Sequence, residues 1–360
     1  MKKETINLPN GKTVEAMAPV IVSASRSTDI PAFFAKWFIT RIKAGYVVWV
    51  NPFNQQPIYV SLKNTRVIVF WTKNPKPLLP LLDELDKRGI HYYFQFTLND
   101  YDVEKFEPNV PSVDKRIETF KSLSEKVGAD HVIWRFDPLI ITPKLTPNAL
   151  LHKIRVVSEK LYGLTNKLVF SFIDVKAYRK VQNNLIRTGL YTKDNVITAE
   201  ATPEQQHEIA SGLQLLKNYW KQRNWNLSIA TCGEDIDFSK YEISHNRCID
   251  PEIMNNCFAD DVVLQDFLSK YKKPLQLDLF AASEAGEFEQ PVFDYKKFKD
   301  KGQREECGCV VSKDIGMYNT CSHNCVYCYA NTSAEAVAKN RNNFILMSES
   351  LIPFKMRELF

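Results

Sequence analysis

The sequence predicts an α/β protein built as a full or partial (βα) TIM-like barrel, and three observations carry that expectation. Short apolar, β-branched and aromatic runs recur along the chain, and longer amphipathic stretches follow several of them. Six such runs are present, enough strand–helix units to curve a parallel sheet toward closure. The length of 360 residues lies within the range of an α/β barrel.

Taken in order, residues 20–24 form the first visible strand, because β-branched residues suit a pleated surface, and a helix at 32–43 follows. The run 67–71, VIVFW, is the next strand. Its helix, 76–88, has Pro77 in the first turn and Gly89 at the stop. In the strand at 92–98, Gln95, Thr97 and Asn99 share one face, and Phe94, Phe96 and Leu98 take the other. A helix at 113–127 leads to the strand at 132–136, where Arg135 and Asp137 fall together opposite Trp134 and Phe136. Helix 148–161, strand 167–173, the long helix 203–223 and strand 227–231 continue the alternation. Between 272 and 306 neither period is visible, and charge mixes with scattered aromatics. This interval reads as a connector between a main body at 1–271 and a cluster-binding segment at 307–360 that completes the barrel. A separate small domain is the alternative, but the interval holds too few clustered apolar residues for one.

With 44% hydrophobic and 25% charged residues, the composition is that of an ordinary globular protein and excludes collagen, disorder and a disulfide miniprotein. The opening MKKETINLPNGK lacks the apolar core of a signal peptide. No run approaches the roughly eighteen apolar residues of a membrane span. A cytoplasmic chain with no membrane partner is the expectation. There the eight cysteines stay reduced, so metal, cluster or catalytic roles outrank disulfides. The net charge of +5, from 47 basic and 42 acidic residues, permits a phosphate-bearing partner without arguing for one.

The strongest chemical signal is NTCSHNCVYCYAN, with Cys321, Cys325 and Cys328 spaced Cys-x3-Cys-x2-Cys. Three thiolates this close in sequence can wrap one face of a 4Fe–4S cube and leave the fourth iron without a protein ligand. Structural zinc, with His323 or Cys309 as fourth ligand, is the competing reading. Zinc sites usually pair two Cys-x2-Cys steps, and this triplet contains one, so the cluster is preferred.

The spacing, with the aromatic Tyr327 before the third cysteine, resembles the radical S-adenosylmethionine (SAM) superfamily signature. The resemblance implies an open iron that chelates the amino and carboxylate groups of SAM. It also implies a reductant such as flavodoxin or ferredoxin, and cleavage of a C–S bond to methionine and a 5′-deoxyadenosyl radical. Tyr327 would then lie beside the adenine. In that superfamily the triplet stands near the start, after the first strand; here it comes about thirty residues before the last one. Local order is nevertheless kept, with a strand at 310–315, the cysteine loop, and a helix over 333–340 capped by Ser333. The implied fold is a circularly permuted barrel whose first, cluster-bearing unit is at the C-terminal end. Most of the chain also resembles an uncharacterised bacterial domain-of-unknown-function family that carries such a C-terminal triplet.

Barrel enzymes place chemistry at the C-terminal ends of their strands. On that ground Arg135 and Asp137 are the catalytic candidates, and Gln95 is a candidate for binding SAM or substrate. Ser25, Arg26, Ser27 and Asp29 in SASRSTD stand where the resemblance implies a grip on the SAM amino group, although the superfamily's Gly-Gly-Glu is absent. Lys73, Asn74, Asp174 and Lys176 lie at equivalent levels, with solvation or capping the simpler reading for Lys73 and Asn74. A second set, Cys232, Cys248, Cys307 and Cys309, could hold an auxiliary 4Fe–4S cluster or zinc, or be plain buried thiols. Cys257 has no partner by spacing, and His245 is an alternative ligand on a loop.

The expected function is reductive cleavage of SAM to generate a radical that acts on an unknown small-molecule, peptide or nucleic-acid substrate. The WRFDP run around Arg135 resembles spore photoproduct lyase relatives, which keeps nucleic acid among the substrates. The alternative is a nucleic-acid-binding or repair accessory protein, stabilised by zinc or an iron–sulfur cluster and without radical chemistry. Its support is the mild basicity and the 22 Phe, 15 Tyr and 6 Trp, which could stack bases.

Overall fold

The computed structural model describes residues 1–273 and 292–353. It opens with a hairpin, β1 (Lys2–Asn7) and β2 (Thr13–Ala18), paired antiparallel from Lys2↔Ala18 to Asn7↔Thr13. Gly11, at φ +78, takes the left-handed conformation in the connecting turn. After β3 (Ile21–Ala24), α1 (Ile30–Phe33) and α2 (Ala35–Ala44), a second hairpin forms from β4 (Tyr46–Val50) and β5 (Pro57–Ser61). The two hairpins join as a four-stranded sheet, β1-β2-β5-β4, around Ile6, Leu8, Ala16, Tyr46 and Val48. Sequence reasoning did not find this sheet, because β1 is mostly polar and exposed and β2, though richer in apolar residues, has only Ala16 and Ala18 buried.

The expected strands build a second sheet. In chain order the remaining elements are β6 (Val67–Thr72), α3 (Asp83–Asp86), β7 (His91–Thr97), α4 (Val113–Val127), β8 (Val132–Leu139), α5 (Pro147–Lys160), β9 (Lys167–Phe172) and α6 (Arg179–Arg187). They continue with α7 (Pro203–Gln222), β10 (Ser228–Thr231), β11 (Ser244–His245), α8 (Pro251–Cys257), α9 (Val262–Ser269), α10 (Tyr295–Phe298), β12 (Lys313–Asp314) and α11 (Ala334–Asn342). Eight strands pair in parallel in the order β11-β10-β9-β8-β7-β6-β3-β12. The latest strand in the chain therefore stands at the edge of the row beside the earliest strand of this sheet, with Lys313↔Val22 and Asp314↔Ser23.

Of the full or partial barrel expected, the full form is not observed: among the described residues the sheet is open, with β11 and β12 at opposite edges. The reason lies in how its faces are filled. Phe70, Phe94, Trp134 and Phe170 point into the larger core, which the helices α2, α4, α5 and α7 share. Val67, Val69, Tyr93, Ile133 and Val169 point the other way, where Met254 of α8, Leu264 and Leu268 of α9 and Phe298 of α10 cover them. A barrel would keep that second face for its lumen; here a packed apolar layer occupies it. Burying each such side chain stabilises by about 1.5–3 kcal/mol.

Several helices follow their sequence signals. Thr202 and Gln205 form a capping box on α7, Thr146 caps α5, and Ser333 caps α11. The helix expected at 32–43 breaks at Phe34 into α1 and α2. The one expected at 76–88 shrinks to a 3-10 turn at Leu79–Leu81 and the short α3, since Pro80 offers no N–H to a regular ladder. The expected strand at 310–315 is reduced to the two residues of β12. Of the connector read at 272–306, residues 274–291 lie outside the described residues. Beyond them Phe298 stacks on Tyr271 with ring centroids 3.7 Å apart, part of the layer over the second face. No helix among the described residues is long and apolar enough to cross a membrane.

Candidate functional site

The loop after β3 and the loop after β12 are tied by one carboxylate. Asp314 accepts hydrogen bonds from Ser23 Oγ at 2.8 Å, Ser25 Oγ at 2.7 Å, the Arg26 N–H at 2.8 Å and the Gly316 N–H at 2.8 Å. Ser27 Oγ joins them at 3.4 Å. Gly316 must be glycine, since a Cβ there would stand 1.9 Å from Ser25 Oγ. Asp29 caps α1 through the Ala32 N–H at 2.9 Å. Its other oxygen accepts the Lys73 N–H at 2.8 Å and faces His323 Nε2 at 2.9 Å. Ser25, Ser27 and Asp29 thus hold the cysteine loop against the sheet.

Cys321, Cys325 and Cys328 follow on that loop, at the C-terminal ends of the parallel strands. Beneath them is a buried polar layer centred on Tyr327. The Tyr327 hydroxyl donates to Glu107, and Lys73 Nζ donates to Tyr327 at 2.9 Å and to Glu107 Oε1 at 2.8 Å. Asn99 Nδ2 reaches Glu107 Oε1 at 2.9 Å and the Tyr327 hydroxyl at 3.1 Å. Arg116 Nη1 reaches Glu107 Oε2 at 3.2 Å. Burial acts to raise the Glu107 pKa, yet Lys73 and Arg116 outweigh it and hold this carboxylate down at about 2. The loop also docks on α6, where Asn184 Nδ2 donates to the Cys328 carbonyl at 3.3 Å. A cleft of about 200 Å³ opens there, lined by Asn184, Arg187, Asn324, Cys325 and Asn331.

Burial pushes all three thiols up, with the Asp29 carboxylate adding to it at Cys321, and Cys325 reaches about 12. His323, considered as a fourth ligand, is buried, with Nε2 on Asp29 and Nδ1 3.4 Å from the Asn109 carbonyl. Cys309, the other candidate, belongs to the second thiol group described next.

Cys232 follows β10 directly, Cys248 lies three residues beyond β11, and Cys307 and Cys309 precede β12. Cys232 Sγ and Cys248 Sγ are 3.3 Å apart, and the 307–309 segment lies against Cys248, with the Ile249 N–H on Cys309 Sγ at 3.5 Å and the Val310 N–H on the Ile249 carbonyl at 3.2 Å. All eight cysteines are free thiols. No group of three or more His, Cys, Asp or Glu side chains among the described residues is positioned to hold a metal ion as it stands. Arg135 Nη1 donates to Cys248 Sγ at 3.0 Å and to Gln95 Oε1 at 3.1 Å, while Gln95 Nε2 donates to the Cys248 carbonyl at 3.0 Å. The hydrogen bond from Cys248 pulls Cys232 down to about 7 against burial, with Arg135 assisting.

Arg135 and Asp137 do share a face, with Nη2 to Oδ2 at 2.6 Å, and they connect the two thiol groups. The Asp137 N–H donates to Asn99 Oδ1 at 2.7 Å, and Asn99 reaches Tyr327. A continuous path thus runs Cys248–Arg135–Asp137–Asn99–Tyr327. Cys257 packs against the apolar layer of the second face, and His245 is exposed on β11. Asp174 pairs with Arg304, whose carbonyl accepts the Cys307 N–H at 3.1 Å beside the second thiol group, and Lys176 pairs with Glu200 at 3.0 Å. Lys73 is not a solvated loop lysine but a buried partner of Glu107. Sequence reasoning missed Glu107, Arg116 and Asp314 altogether. It also missed Glu234, which accepts the Phe172 N–H at 2.8 Å and is lifted by burial to about 7. The aromatic residues proposed for base stacking are largely interior, including Trp37, Trp134, Trp220, Tyr93 and Tyr101.

Fold and site together define a mixed α/β protein with a large parallel sheet and a cysteine loop at its C-terminal edge. The chain belongs to the family described as Domain of unknown function (DUF1848), which matches residues 21–330. The match begins with β3 and ends just past Cys328, so it spans the sheet and both thiol groups. No curated protein and no solved structure matches the chain.

Proposed function

We propose that this chain is a radical SAM enzyme acting on an unidentified substrate, with its sheet a partial, circularly permuted (βα) barrel. The observation that carries the reading is the place of the triplet. It occupies the loop after β12, beside β3 at the C-terminal end of the sheet, and neither His323 nor Cys309 is free to add a fourth ligand. The donor set fits: three free thiols on one loop, Cys325 buried and Cys321 and Cys328 half-buried, suit three irons of a cube, which need separate sulfurs rather than one point of convergence. Cys321, Cys325 and Cys328 would hold the cluster, which with bound SAM supplies the electron that breaks the sulfonium C–S bond and frees a 5′-deoxyadenosyl radical to abstract hydrogen.

The chain's own residues prepare that site. Lys73, Glu107 and Asn99 fix the Tyr327 ring in one orientation beside the loop. Lys73 stays charged because Glu107 offsets the effect of burial, and it brings a positive charge toward Cys325 that favours the thiolate needed for ligation. Asp29 and Asp314 hold the loop's two flanks against β3 and β6. Arg135 and Asp137 form the floor and are the candidates for binding substrate. Anaerobically reconstituted protein given SAM and dithionite is expected to release 5′-deoxyadenosine, and Cys325→Ser to release none. Iron-loaded protein that forms no deoxyadenosine would overturn the reading.

A further inference from the structure

We infer that Cys232, Cys248, Cys307 and Cys309 form a second, mononuclear tetrathiolate site that takes zinc and staples the segment carrying the triplet to the β10–β11 edge of the sheet. This does not rest on the radical reading. The four sulfurs come from three segments far apart in sequence and meet only in the folded chain.

What surrounds them points to thiolates. Arg135 Nη1 at 3.0 Å and Asn246 Nδ2 at 3.3 Å donate to Cys248 Sγ, and the Ile249 N–H donates to Cys309 Sγ at 3.5 Å. A neutral thiol is a weak acceptor for so many N–H groups, whereas a metal-bound thiolate is a strong one that such outer partners orient. Arg26 adds an independent sign. Its Nη2 is shielded from solvent with no hydrogen-bond partner, and its guanidinium forms no ion pair with any carboxylate among the described residues. A zinc ion with four thiolates carries two negative charges, which Arg26 and Arg135 are placed to offset.

Spacing selects the metal. A Zn–S bond of about 2.3 Å puts tetrahedral sulfurs roughly 3.8 Å apart. The 3.3 Å contact of Cys232 and Cys248 is close to that. Four thiols binding a 4Fe–4S cube must stand on four separate irons, so Cys232 and Cys248, whose sulfurs are in contact, would have to move apart to reach them. The auxiliary cluster is therefore the less favoured occupant. As they stand no three of these thiols converge on one point, so binding requires their deprotonation and side-chain rotation around one ion. With four protein ligands the site is closed and structural, with no corner for substrate.

Metal counting on the full chain tests this. Protein purified from zinc-supplemented cells is expected to hold about one zinc per chain, and Cys248→Ser and Cys307→Ser less than about a tenth of one. The Cys321→Ser/Cys325→Ser/Cys328→Ser variant is expected to keep its zinc. Should the quartet variants not fold, chelator-stripped wild type titrated with Co²⁺ is expected to develop intense sulfur-to-cobalt charge-transfer bands that saturate at one equivalent and vanish on adding Zn²⁺. Zinc retained by the quartet variants, absence of those bands, or iron and sulfide persisting in the triplet variant would each overturn the inference. None of these readouts depends on deoxyadenosine formation.

Discussion

Cys321, Cys325 and Cys328 come from one loop, whereas Cys232, Cys248, Cys307 and Cys309 are gathered from three segments across the sheet. Their electrostatics differ as much as their origins. Around the triplet, burial and the carboxylates Asp29 and Glu107 push the thiols up, with Lys73 the opposing charge at Cys325. Around the quartet, hydrogen bonds between the thiols and the guanidiniums of Arg135 and Arg26 draw Cys232 and Cys309 down. Local spacing thus announces a ligand set whose thiols stay protonated until something displaces their protons. Tertiary gathering makes a divided set, in which Cys232 and Cys309 are drawn toward thiolate while Cys248 and Cys307 are pushed up, and no spacing announces it.

Mutations can break or sharpen that contrast. The largest effect is expected at Glu107, whose replacement by Gln leaves Lys73 and Arg116 buried without their counter-charge and costs about 3–5 kcal/mol, read by denaturant unfolding. Zinc content should be unchanged; if it falls together with stability, the two thiol regions are one unit and the contrast fails. The same carboxylate predicts a pH dependence. Its folded pKa of about 2 lies below the ordinary 4.5, so its stabilisation is complete above about 4.5 and fades as pH falls toward 2. In Glu107→Gln the slope of stability over that acid range should flatten.

A smaller effect, about 1–3 kcal/mol, is expected for Gly316→Ala, because the new Cβ collides with Ser25 and must push β12 from β3. Amide exchange should quicken at Ile315 and Gly316 and stay unchanged in α7, which packs on α5. The smallest concerns Ser333→Ala, which removes the cap that accepts the Ala336 N–H at 3.2 Å and costs about 1 kcal/mol of stability. Exchange in α11 should respond while the quartet side stays silent.

What could be read from sequence follows from where the information lies. Strands β3 and β6 to β10 were legible because β-branched and aromatic runs report burial directly, and α4, α5 and α7 because their periods are clean. Helix α6 was not, since only Val181 and Leu185 of its nine residues are buried. The layer α8–α10, which closes the second face and keeps the sheet open, carries no sign in its own sequence of which surface it covers. Arg135, Asp137 and Gln95 were placed on one face by strand alternation alone. Glu107 sits in EKFEPN, which reads as a solvated charge cluster, and only the fold brings Lys73, Arg116 and Tyr327 around it. The triplet was visible as a motif, but the carboxylate that anchors its loop, Asp314, gains meaning only when β12 lies beside β3.

That pairing also sets an order of events for a growing polypeptide. Val22 leaves the ribosome almost three hundred residues before Lys313, its neighbour in the ladder. Until then one flank of β3 exposes unpaired backbone amides and carbonyls, a sticky template for any extended peptide nearby. Assembly of the sheet should therefore be among the slow steps, and a chaperone that shields that flank should raise the yield.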